Sequence, residues 1–234
     1  MLNMRLFLGV LIFFIVCPSA IGQDETNTVS DSLYKEDQFY IAITYNLLGK
    51  KPNGVSQNGF SSGFHFGYIK DIPINLNRNV AIGLGLGLST NSFNNNMLIS
   101  EDLSGNFSYT ILNENDISYI KNKFTMYVIE LPIEFRWRTS TATEYKFWRI
   151  YTGAKLGYVV ANSSKFKNNS GTIKNNGITD FNDLQYGLTL SAGYNTWNLH
   201  IYYALNPIFS GDAKINNESI DMNAIKIGLI FYIL

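Results

Sequence analysis

Eight times along this chain, apolar side chains alternate with small or polar ones over about the 9–11 residues that a membrane-crossing strand needs. A period of two puts alternate side chains on opposite faces of a strand, so each segment has one apolar wall and one that is not. The segments run approximately over 37–47, 58–70, 78–90, 123–138, 146–161, 184–195, 197–207 and 223–234. In the second, Phe60, Phe64, Phe66 and Tyr68 oppose Ser61, Gly63, His65 and Gly67. The third sets Val80, Ile82, Leu84, Leu86 and Leu88 against Ala81, three glycines and Ser89. The fourth sets Tyr127, Ile129, Leu131, Ile133, Phe135 and Trp137 against Glu130, Glu134 and Arg136.

Soluble sheets with one wet face alternate too. Two features separate the cases. The non-apolar wall here is mostly glycine, alanine and serine, whereas a water-washed wall would be rich in Lys and Glu. Small residues suit the narrow interior of an eight-stranded barrel. The connections also alternate in length: those near 48–57, 91–122, 162–183 and 208–222 are long, and those at 71–77, 139–145 and around 196 are shorter. Barrels of the bacterial outer membrane have short periplasmic turns and long outer loops. The expected fold is therefore all-β, an eight-stranded antiparallel up-and-down transmembrane β-barrel over 37–234, with both barrel termini periplasmic.

Five aromatic residues fall at one height in this arrangement. Tyr68, Trp137, Trp148, Tyr194 and Trp197 all lie near the periplasmic rim, where amphipathic rings favour the lipid–water boundary as a girdle. Ahead of the barrel, Arg5, the apolar run Leu6 to Val16 and Ala20-Ile21-Gly22 form the pattern of a secretory signal over 1–22. Cys17 lies within it, but Phe14-Ile15-Val16 lacks the small residue that lipoprotein processing wants. Residues 23–36 are polar without a period, a flexible periplasmic lead. The long loops are rich in Asn and Ser, as in Asn94-Asn95-Asn96, Asn168-Asn169 and Asn175-Asn176, and are expected to be mobile.

Charge excludes one class of partner. Removing Arg5 with the signal leaves 17 basic and 18 acidic residues, net −1. A near-neutral chain without basic runs is no nucleic-acid binder. The inward face of the fourth and fifth segments collects Glu130, Glu134, Arg136, Arg149 and Lys155. Pairing through the intervening turn brings Glu134 near Arg149, directly or diagonally; a register two residues different sets Glu130 opposite Lys155. Either way, charges enclosed in a narrow lumen must be paired, which makes this a structural network. Pro132, on the same wall, removes a ladder amide and predicts a local bulge.

No constellation for catalysis appears. His65 and His200 fall on inward positions with no Asp, Glu or Cys at ligand spacing, so no metal is expected. No G-x-S-x-G nucleophile motif occurs, and the glycines at 83, 85 and 87 follow a strand period with no helix after them to receive a phosphate. Neither enzyme activity nor a cofactor is expected.

Several blocks resemble the PorT family of Bacteroidetes outer-membrane barrels. They are Asp37-Gln38-Phe39-Tyr40, Thr44-Tyr45-Asn46, Gln57-Asn58-Gly59-Phe60, the run Glu130 to Arg138, the run Tyr145 to Tyr151, and the ending Leu229 to Leu234. The resemblance implies an accessory or assembly component of type IX protein secretion, serving surface or motility proteins. Its partners would be outer-membrane lipid and other secretion-system proteins. The alternative is a structural or adhesive outer-membrane protein acting through its long extracellular loops.

Overall fold

The computed structural model describes residues 36–113, 118–140 and 146–233. The signal segment 1–22 and residues 23–35 of the lead lie outside the described residues. Among the described residues thirteen strands follow one another. They are β1 (Gln38–Gly49), β2 (Ser62–Pro73), β3 (Val80–Asn94), β4 (Met97–Glu101), β5 (Phe107–Ile111), β6 (Lys121–Arg138) and β7 (Trp148–Asn168). Then come β8 (Gly171–Asn176), β9 (Leu184–Tyr194), β10 (Trp197–Ala204), β11 (Lys214–Ile215), β12 (Glu218–Ser219) and β13 (Asn223–Ile233).

Eight of these close a barrel. Each of β1, β2, β3, β6, β7, β9, β10 and β13 pairs antiparallel with the next, and β13 returns to β1 through pairs such as Ile43↔Leu229. All eight expected segments are present. The second starts later than its pattern, at Ser62, because Phe60 and Ser61 belong to the preceding loop. The seventh expected segment stops at Ala204, while β3 and β7 outrun theirs.

Burial explains why the alternation takes this form. Outward side chains such as Ile43, Phe66, Leu86, Ile133 and Leu188 are apolar and exposed, Leu86 at 61%. Inward ones such as Thr44, His65, Ser89, Glu130 and Ser191 are polar and buried. A soluble domain would reverse both walls; a barrel in lipid requires this arrangement. The inward glycines make room for large partners. A Cβ on Gly67 would lie 2.6 Å from the Tyr40 ring, one on Gly187 2.7 Å from the Tyr202 ring, and one on Gly83 2.9 Å from Arg136 Cδ.

Short turns join the strands at the end that carries Gln38 and Ile233, called here the terminal end. The β9–β10 turn uses Asn195 at φ 54°. The long connections gather at the opposite, hairpin end. There the structure corrects the expectation of mobile loops, which instead fold into hairpins over one hydrophobic core. β4 pairs with β5, β8 pairs antiparallel with the end of β7, and β11 pairs with β12. Phe93, Phe124, Phe181 and Phe209 stack beneath them, with the Phe181 and Phe209 rings 4.6 Å apart. The abundant asparagines satisfy loop backbone. Asn122 Nδ2 donates to the carbonyls of Asn95 and Met97, Asn175 Nδ2 donates to Ile99, and Asn182 Nδ2 donates to Pro207 and Phe209.

The bulge expected at Pro132 is not there. The β6–β7 register shifts between Tyr127 and Val128, where β7 carries the extra Val160. Pro132 stays opposite Lys155. On its other side the β3 ladder lapses between Leu84↔Ile133 and Gly87↔Glu130 without changing register. The proline ring fits because its neighbour is Gly85, whose Cβ would lie 3.0 Å from Pro132 Cγ.

Candidate functional site

Two polar clusters fill the lumen, and the hairpin cap covers its far end. Near the terminal end, Asp71 is the hub. It accepts from Arg136 Nη1 at 3.0 Å and from Arg138 Nη1 and Nη2 at 2.8 and 2.7 Å. Arg136 also donates to Glu134 Oε2 at 3.3 Å and to Gln38 Oε1 at 2.8 Å, and its guanidinium lies 4.3 Å over the Tyr151 ring. Arg138 donates to the Arg78 carbonyl, which anchors the β2–β3 turn. Glu36 stands 3.9 Å from Arg138.

Halfway along, Glu130 is the second hub. Lys155 Nζ donates to its Oε2 at 3.0 Å, Ser89 Oγ donates to its Oε1 at 2.8 Å, and His65 Nδ1 lies 3.1 Å away. His65 also meets Thr44 Oγ1 through Nε2. The buried Lys226 ammonium sits 4.8 Å over the Tyr202 ring. The hollow between Glu130, Lys155, Tyr202 and Lys226 measures about 20 Å³, room for about one water molecule.

Four of the five charged residues read from the sequence divide between these clusters, and Arg149 is bonded into neither among the described residues. Glu130 meets Lys155 diagonally, since Lys155 stands opposite Pro132. Glu134 and Arg149 do not meet. The register sets Glu134 opposite Gly153 and Arg149 opposite Arg138, so Glu134 bonds Arg136 on its own strand instead. Arg149 packs 4.5 Å over the Phe147 ring. Sequence reasoning missed Asp71, Arg138 and Glu36. Asp71 and Arg138 continue the inward alternation past Ile69 and Arg136, so the period carried the signal for both.

Outside, Tyr68, Trp137, Trp148, Tyr194 and Trp197 all point away from the lumen at the terminal end, and each is at least 38% exposed. Trp148 and Tyr194 rings lie 5.3 Å apart. Phe39 and Phe231 join the same belt, against Tyr68 and Trp197.

For chemistry, the one suggestive pair is Ser191 Oγ and His200 Nδ1, 2.8 Å apart as cross-strand partners. Both are buried in the lumen, and among the described residues no carboxylate bonds to His200. Among those residues, too, no three His, Cys, Asp or Glu side chains converge as metal ligands.

At the outer edge of the cap, Tyr109 donates to Asp180 at 2.9 Å. Burial, reinforced by that bond, holds the Tyr109 phenol well above its usual range. In the β4–β5 hairpin, hydrogen bonds from Asn106, first its backbone and then its side chain, pull the Asp102 carboxyl below its usual range.

A protein family described as outer membrane protein beta-barrel domain matches residues 22–210. No curated protein is a significant match. Among solved structures, the crystal structure of Ail, the attachment invasion locus protein of Yersinia pestis, shares 13% identity at a TM-score of 0.32. That match covers 85% of this chain and 100% of Ail. A likeness so slight carries no argument about this chain.

Proposed function

The chain belongs to the outer membrane protein beta-barrel family, and on that premise we propose a sealed, non-enzymatic membrane anchor that displays its hairpin cap as a recognition surface. The filled lumen carries this reading. The Asp71–Arg138 cluster, the Glu130–Lys155 cluster and the aromatic cap succeed one another along the barrel axis. A barrel built to conduct leaves an aqueous lumen, and eight strands give little room for one. The girdled terminal end then faces the periplasm and the cap faces the outside. The display surface comprises β4–β5, β8 and β11–β12, all carried above the lipid belt.

An epitope inserted beside the fully exposed Leu103 tests this. Antibody should label it on intact cells, and excising 97–111 should abolish attachment to the partner surface while the barrel still assembles. Labelling only after the cells are opened would refute the orientation.

The second reading is the type IX accessory role that the PorT resemblance implies. Its support is that Glu130, Glu134, Arg136 and Arg138, which take part in both lumen clusters, lie within the resembling run Glu130 to Arg138. A clean deletion strain separates the two. Periplasmic build-up of type IX cargo, reversed by the intact gene, favours secretion; normal secretion with lost surface attachment favours display.

A further inference from the structure

On the outer wall at the hairpin end, lysines stand opposite lysines. β6 and β7 pair Lys121↔Lys167 and Lys123↔Lys165, and β7 and β8 pair Lys165↔Lys174. Partners in antiparallel register share a face, with Cβ atoms about 4.5–5.5 Å apart, and like charges there destabilise the sheet. The inward set on the same strands is Asn122, Phe124 and Phe166, all buried, so the five lysines project outward. Among the described residues none of the five forms an ion pair with a carboxylate. Lys123 Nζ donates to Ser92 Oγ at 3.0 Å, a neutral partner that leaves its charge in place.

We propose that this face binds the phosphate groups of lipid headgroups in the outer leaflet. Three further observations carry it. First, height: one row below the lysines lie Thr125 and Ser163, and below those the exposed Tyr127 and Phe64, the top of the lipid-facing belt. The ammonium groups therefore stand where acyl chains give way to headgroups. Second, space: a hollow of about 430 Å³ is lined by Lys121, Lys123, Lys165 and Lys174 with the hydroxyls of Ser92 and Thr125, and among the described residues no carboxylate lines it. Asp183 shares a neighbouring hollow with Lys174 without pairing with it. Third, chemistry: a phosphate monoester carries about −1.5 to −2 charge and three acceptor oxygens, which clustered ammonium groups and hydroxyls match. A basic cluster at a membrane surface draws anionic headgroups by the same electrostatics. The assignment to the outer leaflet rests on the orientation proposed above.

The full chain, reconstituted in phosphatidylcholine nanodiscs containing either diphosphoryl lipid A or its dephosphorylated form, tests the site by native mass spectrometry of retained lipid. The disc offers lipid at both barrel ends, so the result does not depend on orientation, which the Leu103 epitope tests separately. The wild-type protein should retain the phosphorylated lipid over the dephosphorylated one by about tenfold or more. The triple variant Lys123→Gln, Lys165→Gln, Lys174→Gln should lose that preference. A control with the same charge change elsewhere, Lys50→Gln, Lys51→Gln, Lys214→Gln, should keep it. Equal retention of both lipids by the wild-type protein overturns the proposal without any variant, as does a preference unchanged in the folded triple variant.

Discussion

Asp71 holds Arg138 by two parallel hydrogen bonds of 2.8 and 2.7 Å, with both side chains fully buried in the lumen. A planar guanidinium matched to a carboxylate is among the stronger polar contacts a protein makes. Because the same carboxylate also takes Arg136, its loss leaves two buried cations short of a partner.

Asp71→Ala is therefore expected to destabilise the barrel by about 3–5 kcal/mol. Urea unfolding in detergent or lipid, followed by the heat-dependent shift in gel mobility, reads the change. Asp71→Asn keeps the shape and one acceptor and should lose less. Equal stability of the wild-type protein and Asp71→Ala would show that the cluster contributes nothing.

The inward glycines give a second test. Gly87 lies so close to the Tyr40 hydroxyl that an added Cβ would collide with it. Gly87→Ala should cost about 1–3 kcal/mol through overpacking. Removing that hydroxyl with Tyr40→Phe should recover part of the loss, and a double-mutant cycle measures the coupling. Additive effects would place the collision elsewhere, at the Phe66 carbonyl.

The cap should yield separately from the barrel. Phe209 touches Tyr109, Phe124 and Phe181 at the centre of the aromatic cluster. Phe209→Ala should remove about 3–5 kcal/mol of packing. Because the barrel ladder does not include Phe209, protease cleavage within 97–111 should rise while the barrel stays folded. Loss of the barrel itself would contradict that division.

Alkaline pH should loosen the cap. The Tyr109 phenol is raised, first by burial and then by its bond to Asp180. The neutral form is thus favoured in the folded cap, and its contribution is complete below the unfolded value of about 10. Above that, the opened cap ionises first and stability falls. Hydrogen exchange over 97–111 should therefore accelerate above about pH 10, approaching the tenfold per pH unit that linkage allows beyond intrinsic base catalysis. Tyr109→Phe should remove this added dependence; the same acceleration in that variant would assign it to another group.

The barrel was legible because lipid imposes a period of two that no other feature of the chain obscures. Ile129 through Trp137 on one wall and Glu130 through Arg138 on the other can be read directly from the sequence. Pair identities were less accessible. Whether Arg149 faces Glu134 or Arg138 depends on the length of the intervening turn, and four residues of register separate the two pairings. The hairpin cap was not legible at all. β4 and β5 are five residues each, too short for a clear period, and their partners Phe181 and Phe209 lie far along the chain. Asparagine-rich loops suggest mobility by composition, whereas Asn96, Asn122 and Asn182 bond loop backbone that would otherwise lack partners. The lysine face was hidden for a related reason: Lys123, Lys165 and Lys174 are scattered in sequence and meet only through the ladders of β6, β7 and β8.

Ion conductance of the folded protein in a planar lipid bilayer tests the sealed barrel most directly. With Asp71–Arg138, Glu130–Lys155 and the Phe93–Phe209 cap in series along the axis, insertion should add no steady conductance above the bare membrane. Discrete, stable channel openings from the wild-type protein would contradict it and return the lumen to consideration as a pore.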